Sequence, residues 1–176
     1  MPAGRLHPRT FNARRTMVEG GRFIADSMLG KLARWMRTLG FDVAYERAID
    51  DAVLVRRAVE EGRTILTRDR LLIRRRLARG RSFLVESDHV DAQLRSVVER
   101  FGLPQRGFLT RCLRCNVLLE RVGRSEVEAV VPAYVFETCR SFARCPGCGR
   151  IYWGATHRER MIEEIERMLG KGAVDF

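Results

Sequence analysis

Lysine is nearly missing from this chain: Lys31 and Lys171 are the only two in 176 residues. The positive charge is therefore arginine, with 33 basic against 22 acidic residues, a formal net charge of +11 and a pI near 10.6. Arginine forks match phosphate geometry, so the excess points to a polyanionic partner, nucleic acid first. The plainer alternative is a bias toward arginine at ordinary solvated positions. Histidine is also scarce. His7, His89 and His157 lie too far apart for a His-rich catalytic zinc site, and no residue takes a Ser–His–Asp role. No apolar run approaches the roughly 20 residues of a membrane span. A P-loop, a GxGxxG fingerprint, internal repeats and low-complexity tracts are all lacking. No apolar segment follows the basic start, so a secretory leader is not expected. Five cysteines without such a leader suggest a reducing, cytoplasmic setting in which paired thiols bind metal rather than form disulfides.

What is present is a composition fit for a folded core, 45% hydrophobic and 31% charged. Residues 1–21 are rich in Pro, Gly and Arg without apolar periodicity and read as a flexible basic tail with some likeness to a transit peptide. From 22 to 104, β-type and helical patterns alternate. Strands are expected at 22–25, 42–45, 64–67 and 82–86. Helices are expected from Met28 to Leu39, from Asp50 or Asp51 to Val59, around Leu71, Leu72 and Leu77, and over 90–101. Met28, Trp35 and Met36 read as core. Such alternation argues for an α/β fold, a parallel sheet with helices on both faces. After Pro104 the pattern changes. Residues 105–155 are short β-like runs, and a closing helix at 157–169 carries Met161, Ile162, Ile165 and Leu169 on one stripe, ahead of a short tail to 176.

Two sets of residues carry chemistry. Cys112, Cys115, Cys145 and Cys148 form two CxxC pairs separated by 29 residues. Each pair can make a knuckle aiming two thiolates at one ion, and Asn116 and Gly149 follow where the turn needs φ > 0. A structural zinc ribbon fits this spacing; two dithiol redox pairs are the alternative. Four thiolates close the coordination sphere, so the zinc is not expected to be catalytic. Cys139 reads as a buried or idle thiol. The second set is acidic. Asp26, Asp69 and Asp88 follow the first, third and fourth expected strands, and Asp50 and Asp51 open the helix after the second. In an open parallel sheet these positions share the edge where ligands bind. Asp26, Asp51, Asp69 and Asp88 together offer hard oxygen donors suited to Mg²⁺ or Mn²⁺; taken singly, each is better explained as a helix cap. Lys31, Arg34 and Arg68 stand near them as candidate phosphate contacts. Arg74, Arg75, Arg76, Arg79 and Arg81 read as a solvated face or a nucleic-acid contact.

These residues resemble a known family. Ile24-Ala25-Asp26-Ser27-Met28-Leu29-Gly30-Lys31-Leu32, within a stretch from Phe23 to Trp35, is similar to the opening motif of the PIN-like RNase family named for the C-terminal domain of the Mut-seven exonuclease. Leu66-Thr67-Arg68-Asp69 resembles its second motif. Arg111 to Asn116, Cys145 to Gly149, and Tyr152-Trp153-Gly154 with His157 resemble its zinc ribbon. The resemblance implies a PIN-like three-layer α/β/α nuclease core with an appended ribbon. It selects Asp26 and Asp69 foremost as the acidic site, then Asp51 and Asp88. A divalent-metal-dependent ribonuclease acting on RNA is the expected function. A non-catalytic RNA-binding module is the alternative, and a phosphatase using Asp26 fails because position 28 is Met28, not a second acid. No membrane partner is expected, and the sequence assigns no homo-oligomeric state or regulatory protein.

Overall fold

A computed structural model describes residues 21–104, 107–154 and 156–174. All of the basic tail but Gly21, and the side chain of His157, lie outside the described residues. Four short strands, β1 (Arg22–Ala25), β2 (Asp42–Tyr45), β3 (Thr64–Thr67) and β4 (Ser82–Leu84), form a parallel sheet in the order β2-β1-β3-β4. Ile24 lies level with Ala44 on one side and Ile65 on the other. Both faces of this sheet are apolar, as a parallel sheet covered on two sides demands. Phe23, Ala25, Val43 and Leu66 meet α1 (Gly30–Thr38) and α3 (Val90–Phe101) on one face. Ile24, Ala44 and Ile65 meet α2 (Asp51–Glu60) and the segment holding Leu72 and Ala78 on the other. The α/β expectation holds.

A second, antiparallel sheet of three strands follows, β5 (Glu120–Val122), β6 (Phe142–Arg144) and β7 (Ile151–Trp153), in sequence order. A short helix, α4 (Ala133–Thr138), covers it through Val127, Val131, Val135, Cys139 and Phe142. Cys139 is thus a buried core thiol. The final helix, α5 (Thr156–Leu169), returns to the first sheet and buries Ile165, Met168 and Leu169 beside α3. No helix among the described residues is long and apolar enough to cross a membrane.

Several local expectations need correction. The helix around Leu71 and Leu77 is only a 3-10 turn, Leu72–Arg74. Leu71 is 71% exposed and Leu77 49%, and only Leu72 and Ala78 are buried there, too little apolar surface to hold a full helix on the sheet. Met28 is 56% exposed rather than core, because it sits in a separate 3-10 turn, Ser27–Leu29, outside the stripe of α1. Strand β4 ends two residues early, although Val85 N–H still donates to Thr67 O at 2.8 Å. The closing helix starts at Thr156, and Met168 joins its buried stripe while Ile162 is only partly covered. Helix α4, with six residues, is too short to show periodicity in the sequence.

Candidate functional site

In the order β2-β1-β3-β4 the chain leaves β1 toward one edge and crosses back to β3 on the other side. The crevice beyond the carboxyl ends of β1 and β3 is the topological switch point, where open α/β sheets bind ligands. Asp26 directly follows β1, and Asp69 lies two residues past β3. Thr67 joins them. Its hydroxyl donates to Asp26 Oδ2 at 2.7 Å and accepts from Asp69 N–H at 2.9 Å. Asp26 N–H in turn donates to Leu66 O at 2.9 Å, and Ser27 Oγ donates to Asp26 Oδ1 at 3.2 Å. Asp69 Oδ1 accepts from Leu71 N–H at 2.6 Å, which turns the chain after β3. Tyr45, closing β2, donates its hydroxyl to Ser27 O at 2.9 Å and so pins the turn after Asp26. The ring needs Gly30, where an added Cβ would stand 2.6 Å from Tyr45 Oη.

Charge separates the four acids into two pairs. Asp26 is only 4% exposed, and among the described residues it makes no salt bridge; its side-chain partners are two hydroxyls. Asp69 has no basic partner among the described residues either. A buried carboxylate without a counter-charge is costly unless a cation neutralises it. Asp51 and Asp88 are exposed or nearly so and already paired, Asp51 with Arg75 at 2.8 Å and Asp88 with Arg68. The four acids are not gathered into a tight cluster: among the described residues the cysteines alone bring three or more candidate ligand atoms within 4.8 Å of one another. Asp50, not Asp51, caps α2, accepting from Ala52 N–H at 2.8 Å. Lys31 and Arg34 are exposed on α1, whereas Arg68 is engaged with Asp88. Arg74, Arg75, Arg76 and Arg79 are exposed and Arg81 partly so. The sequence pattern assigns no separate role to Thr67, Ser27 or Tyr45; a threonine two residues before an acid at a strand end is the available signal for Thr67.

The four cysteines meet as their spacing requires. Cys115 Sγ lies 3.3 Å from both Cys112 Sγ and Cys145 Sγ, and Cys112 Sγ lies 3.7 Å from Cys148 Sγ. Zinc–sulfur bonds of 2.3 Å give a tetrahedron with edges of about 3.8 Å, so the donor set fits zinc. Asn116 and Gly149 have φ of 68° and 70°, the left-handed turn residues each knuckle needs. Burial raises the Cys112 thiol, but hydrogen bonds from the Tyr152 hydroxyl (3.2 Å) and from neighbouring donors outweigh it and bring it down to about 6. Cys115 is pushed up to about 12, first by burial and then by the surrounding thiols. Cys145, like Cys115, is raised by burial, so a metal bound there must displace thiol protons, and because the unfolded chain has no preformed site, that binding is coupled to folding.

The first knuckle is docked on the open edge of β2. Asn116 Oδ1 accepts from Val43 N–H at 3.0 Å, and its Nδ2 donates to Asp42 Oδ1 at 2.7 Å. Buried Arg37 donates to Val43 O at 2.9 Å and to Leu113 O and Arg114 O at 3.0 Å each. An unpaired strand edge is thereby covered, and the four-cysteine cluster is tied to the sheet carrying Asp26.

The chain matches the family model described as Mut7-C RNAse domain over residues 21–165, a span that includes both the acidic edge and all four cysteines. No curated protein and no solved structure gives a significant match. With most of its length covered by that one match, the chain belongs to the Mut7-C RNAse domain family.

Proposed function

We propose that the chain is a divalent-metal-dependent ribonuclease of PIN-like type, hydrolysing RNA phosphodiesters at the carboxyl edge of the parallel sheet. The observation that carries this reading is Asp26: a carboxylate 4% exposed, at the switch point, with hydroxyl partners and no basic one among the described residues. The family's description as an RNase domain supports the choice of substrate. Asp26 and Asp69 would hold the ion, with Asp51 and Asp88 joining when they release their arginines. Mg²⁺ or Mn²⁺ held by such donors would orient and polarise an attacking water and offset charge building on the scissile phosphate.

The chain's own residues do the rest. Thr67 donates to Asp26 and so leaves the remaining lone pairs of that carboxylate directed by a fixed hydrogen bond. Tyr45 and Gly30 fix the turn on which Asp26 stands. Lys31, exposed on the first turn of α1, is placed to meet a phosphate, and Arg34 follows three residues later. The zinc ribbon is structural in this reading, with Cys112, Cys115, Cys145 and Cys148 as its ligands.

The pairing of Asp51 with Arg75 and of Asp88 with Arg68 favours the second reading, an RNA-binding module without catalysis. One experiment decides. Zinc-replete protein is incubated with a mixed RNA pool, with Mn²⁺, with Mg²⁺, and with neither, and product ends are mapped. Cleavage that requires the added ion and disappears in Asp26→Asn supports the nuclease. Intact RNA under every condition leaves the binding module.

A further inference from the structure

A groove of about 840 Å³ opens between α1, the second sheet and the start of α5. Among the described residues five arginines line it, Arg34, Arg114, Arg121, Arg150 and Arg158, and no Asp or Glu does. None of the five has an ion pair among the described residues, unlike Arg63, Arg68 or Arg75 elsewhere in the chain. Guanidinium groups along one groove with no lining carboxylate set up a positive field that favours an anion. The floor of the groove is set by strand register. Arg121 on β5, Ala143 on β6 and Tyr152 on β7 stand in one row across the sheet, so a methyl group separates a guanidinium from an aromatic ring and leaves a hollow between them. Trp153, 37% exposed, and Phe108, with the Arg158 guanidinium 5.4 Å from its ring centroid, add flat apolar surface.

We infer that this groove is a binding site for single-stranded RNA, separate from the acidic edge, in which the arginines take phosphates and the aromatic rings take unstacked bases. Charge along a groove together with an exposed ring, here Trp153, is the combination that single-strand binders use. Several guanidiniums call for several phosphates, hence an oligonucleotide rather than one nucleotide. An acidic peptide would satisfy the charge but gain nothing from Trp153. Arg34 links the groove to the proposed active site: it lies eight positions after Asp26, on the order of 12 Å at helical rise. The choice of RNA rests on the ribonuclease reading, whereas the groove's capacity for a charged single strand does not.

The test is fluorescence anisotropy with a labelled 12-nucleotide oligo(U) RNA and full-length, zinc-replete protein, without added Mg²⁺ or Mn²⁺. Arg121→Glu and Arg150→Glu, both at exposed unpaired positions, should each weaken binding about tenfold or more. Each should also flatten the slope of log affinity against log salt by about 0.7 per lost phosphate contact. Trp153→Ala should weaken binding by roughly five- to a hundredfold. Arg56→Glu, an equal charge change on α2 across the sheet, should change it less than twofold. The proposal is overturned if Arg121→Glu and Arg150→Glu bind no worse than Arg56→Glu. It is equally overturned if duplex RNA binds as tightly, or if polyglutamate competes as well as RNA while Trp153→Ala is silent. Because no cleavage is measured, the two readings fail separately. Groove-dependent binding with RNA left intact in Mn²⁺ sinks the nuclease alone; cleavage with groove variants binding normally sinks the groove alone.

Discussion

Thr67 donates its hydroxyl proton to Asp26 Oδ2 at 2.7 Å, linking the ends of β1 and β3 through a side chain that is fully buried. Thr67 Oγ1 also accepts from Asp69 N–H at 2.9 Å, so one hydroxyl sets both acids of the switch point. Thr67→Val keeps shape and volume but removes donor and acceptor together. We expect a stability loss of about 1–3 kcal/mol, the cost of stranding buried polar groups. Cleavage should drop by tenfold or more while RNA affinity holds, because binding charge is untouched. Thr67→Ser should restore most of the activity. Thermal melting and single-turnover kinetics on the three proteins check this; equal rates in Thr67→Val would show that the hydroxyl only packs.

The metal centre makes a separate prediction. Elemental analysis should find about one zinc per chain, as four-thiolate sites hold. Cys145→Ser should lose the metal and destabilise the segment around β5, β6 and β7, since binding free energy there is folding free energy. Loss should spread to the edge of β2, because Asn116 and Arg37 tie the first knuckle to Val43. Hydrogen exchange at Val43 N–H reads that spread directly. A zinc-free protein with unchanged melting would contradict the assignment.

The parts of this fold legible in the sequence are those dictated by local pattern. Strands β1, β2 and β3 and helix α3 have the residue ranges expected from alternation and apolar spacing. The knuckle turns were visible because only a few residue types tolerate φ near 70°. What was hidden depends on tertiary neighbours. Met28 continues the apolar spacing of α1 yet faces solvent, because the 3-10 turn at Ser27–Leu29 rotates it off the stripe. The arginine partners of Asp51 and Asp88 come from segments 24 and 20 residues away. No periodicity encodes those pairings, and they divide four similar aspartates into a charge-compensated pair and an uncompensated one. The groove's arginines are likewise spread from Arg34 to Arg158, and it takes the docking of the first knuckle through Arg37 and the return of α5 to bring them to one groove.

Asp42 should make stability sensitive to acid. Burial raises its pKa, but hydrogen bonds from Arg63 (2.6 Å) and Asn116 and the charges of Arg63 and Arg111 outweigh this and hold it below the ordinary 3.8. A carboxylate lowered on folding contributes stability that is complete above its unfolded pKa and vanishes as pH falls through the folded value. The contribution is therefore intact at neutral pH and lost below about pH 4. Asp42→Asn removes one of the two carboxylates that buried Arg63 faces, Glu61 being the other, and should cost about 1.5–3 kcal/mol at pH 7. Urea midpoints measured from pH 7 to pH 3 should converge for the two proteins at the acid end. Parallel curves would mean that Asp42 does not set the acid limit.

The last prediction ranks the four acids by their electrostatic surroundings. Asp26→Asn replaces a buried carboxylate that has no basic partner among the described residues. An amide of nearly the same size relieves an uncompensated charge, so stability should hold or rise while metal-dependent cleavage falls by orders of magnitude. Asp69→Asn should behave similarly, since Asn can still accept from Leu71 N–H. Asp51→Asn and Asp88→Asn act in a different setting. Each releases an arginine, Arg75 or Arg68, at the edge where RNA would lie. Exposed ion pairs contribute little to folding, so neither change should alter melting. Both should lose less activity than Asp26→Asn, and RNA affinity should rise because a phosphate inherits the freed guanidinium. Rates at saturating Mn²⁺, affinities without added ion and melting temperatures for all four variants give the ranking. Cleavage equal to wild type in Asp26→Asn, with Asp88→Asn inactive, would move the centre of the site away from the switch point and toward the end of β4.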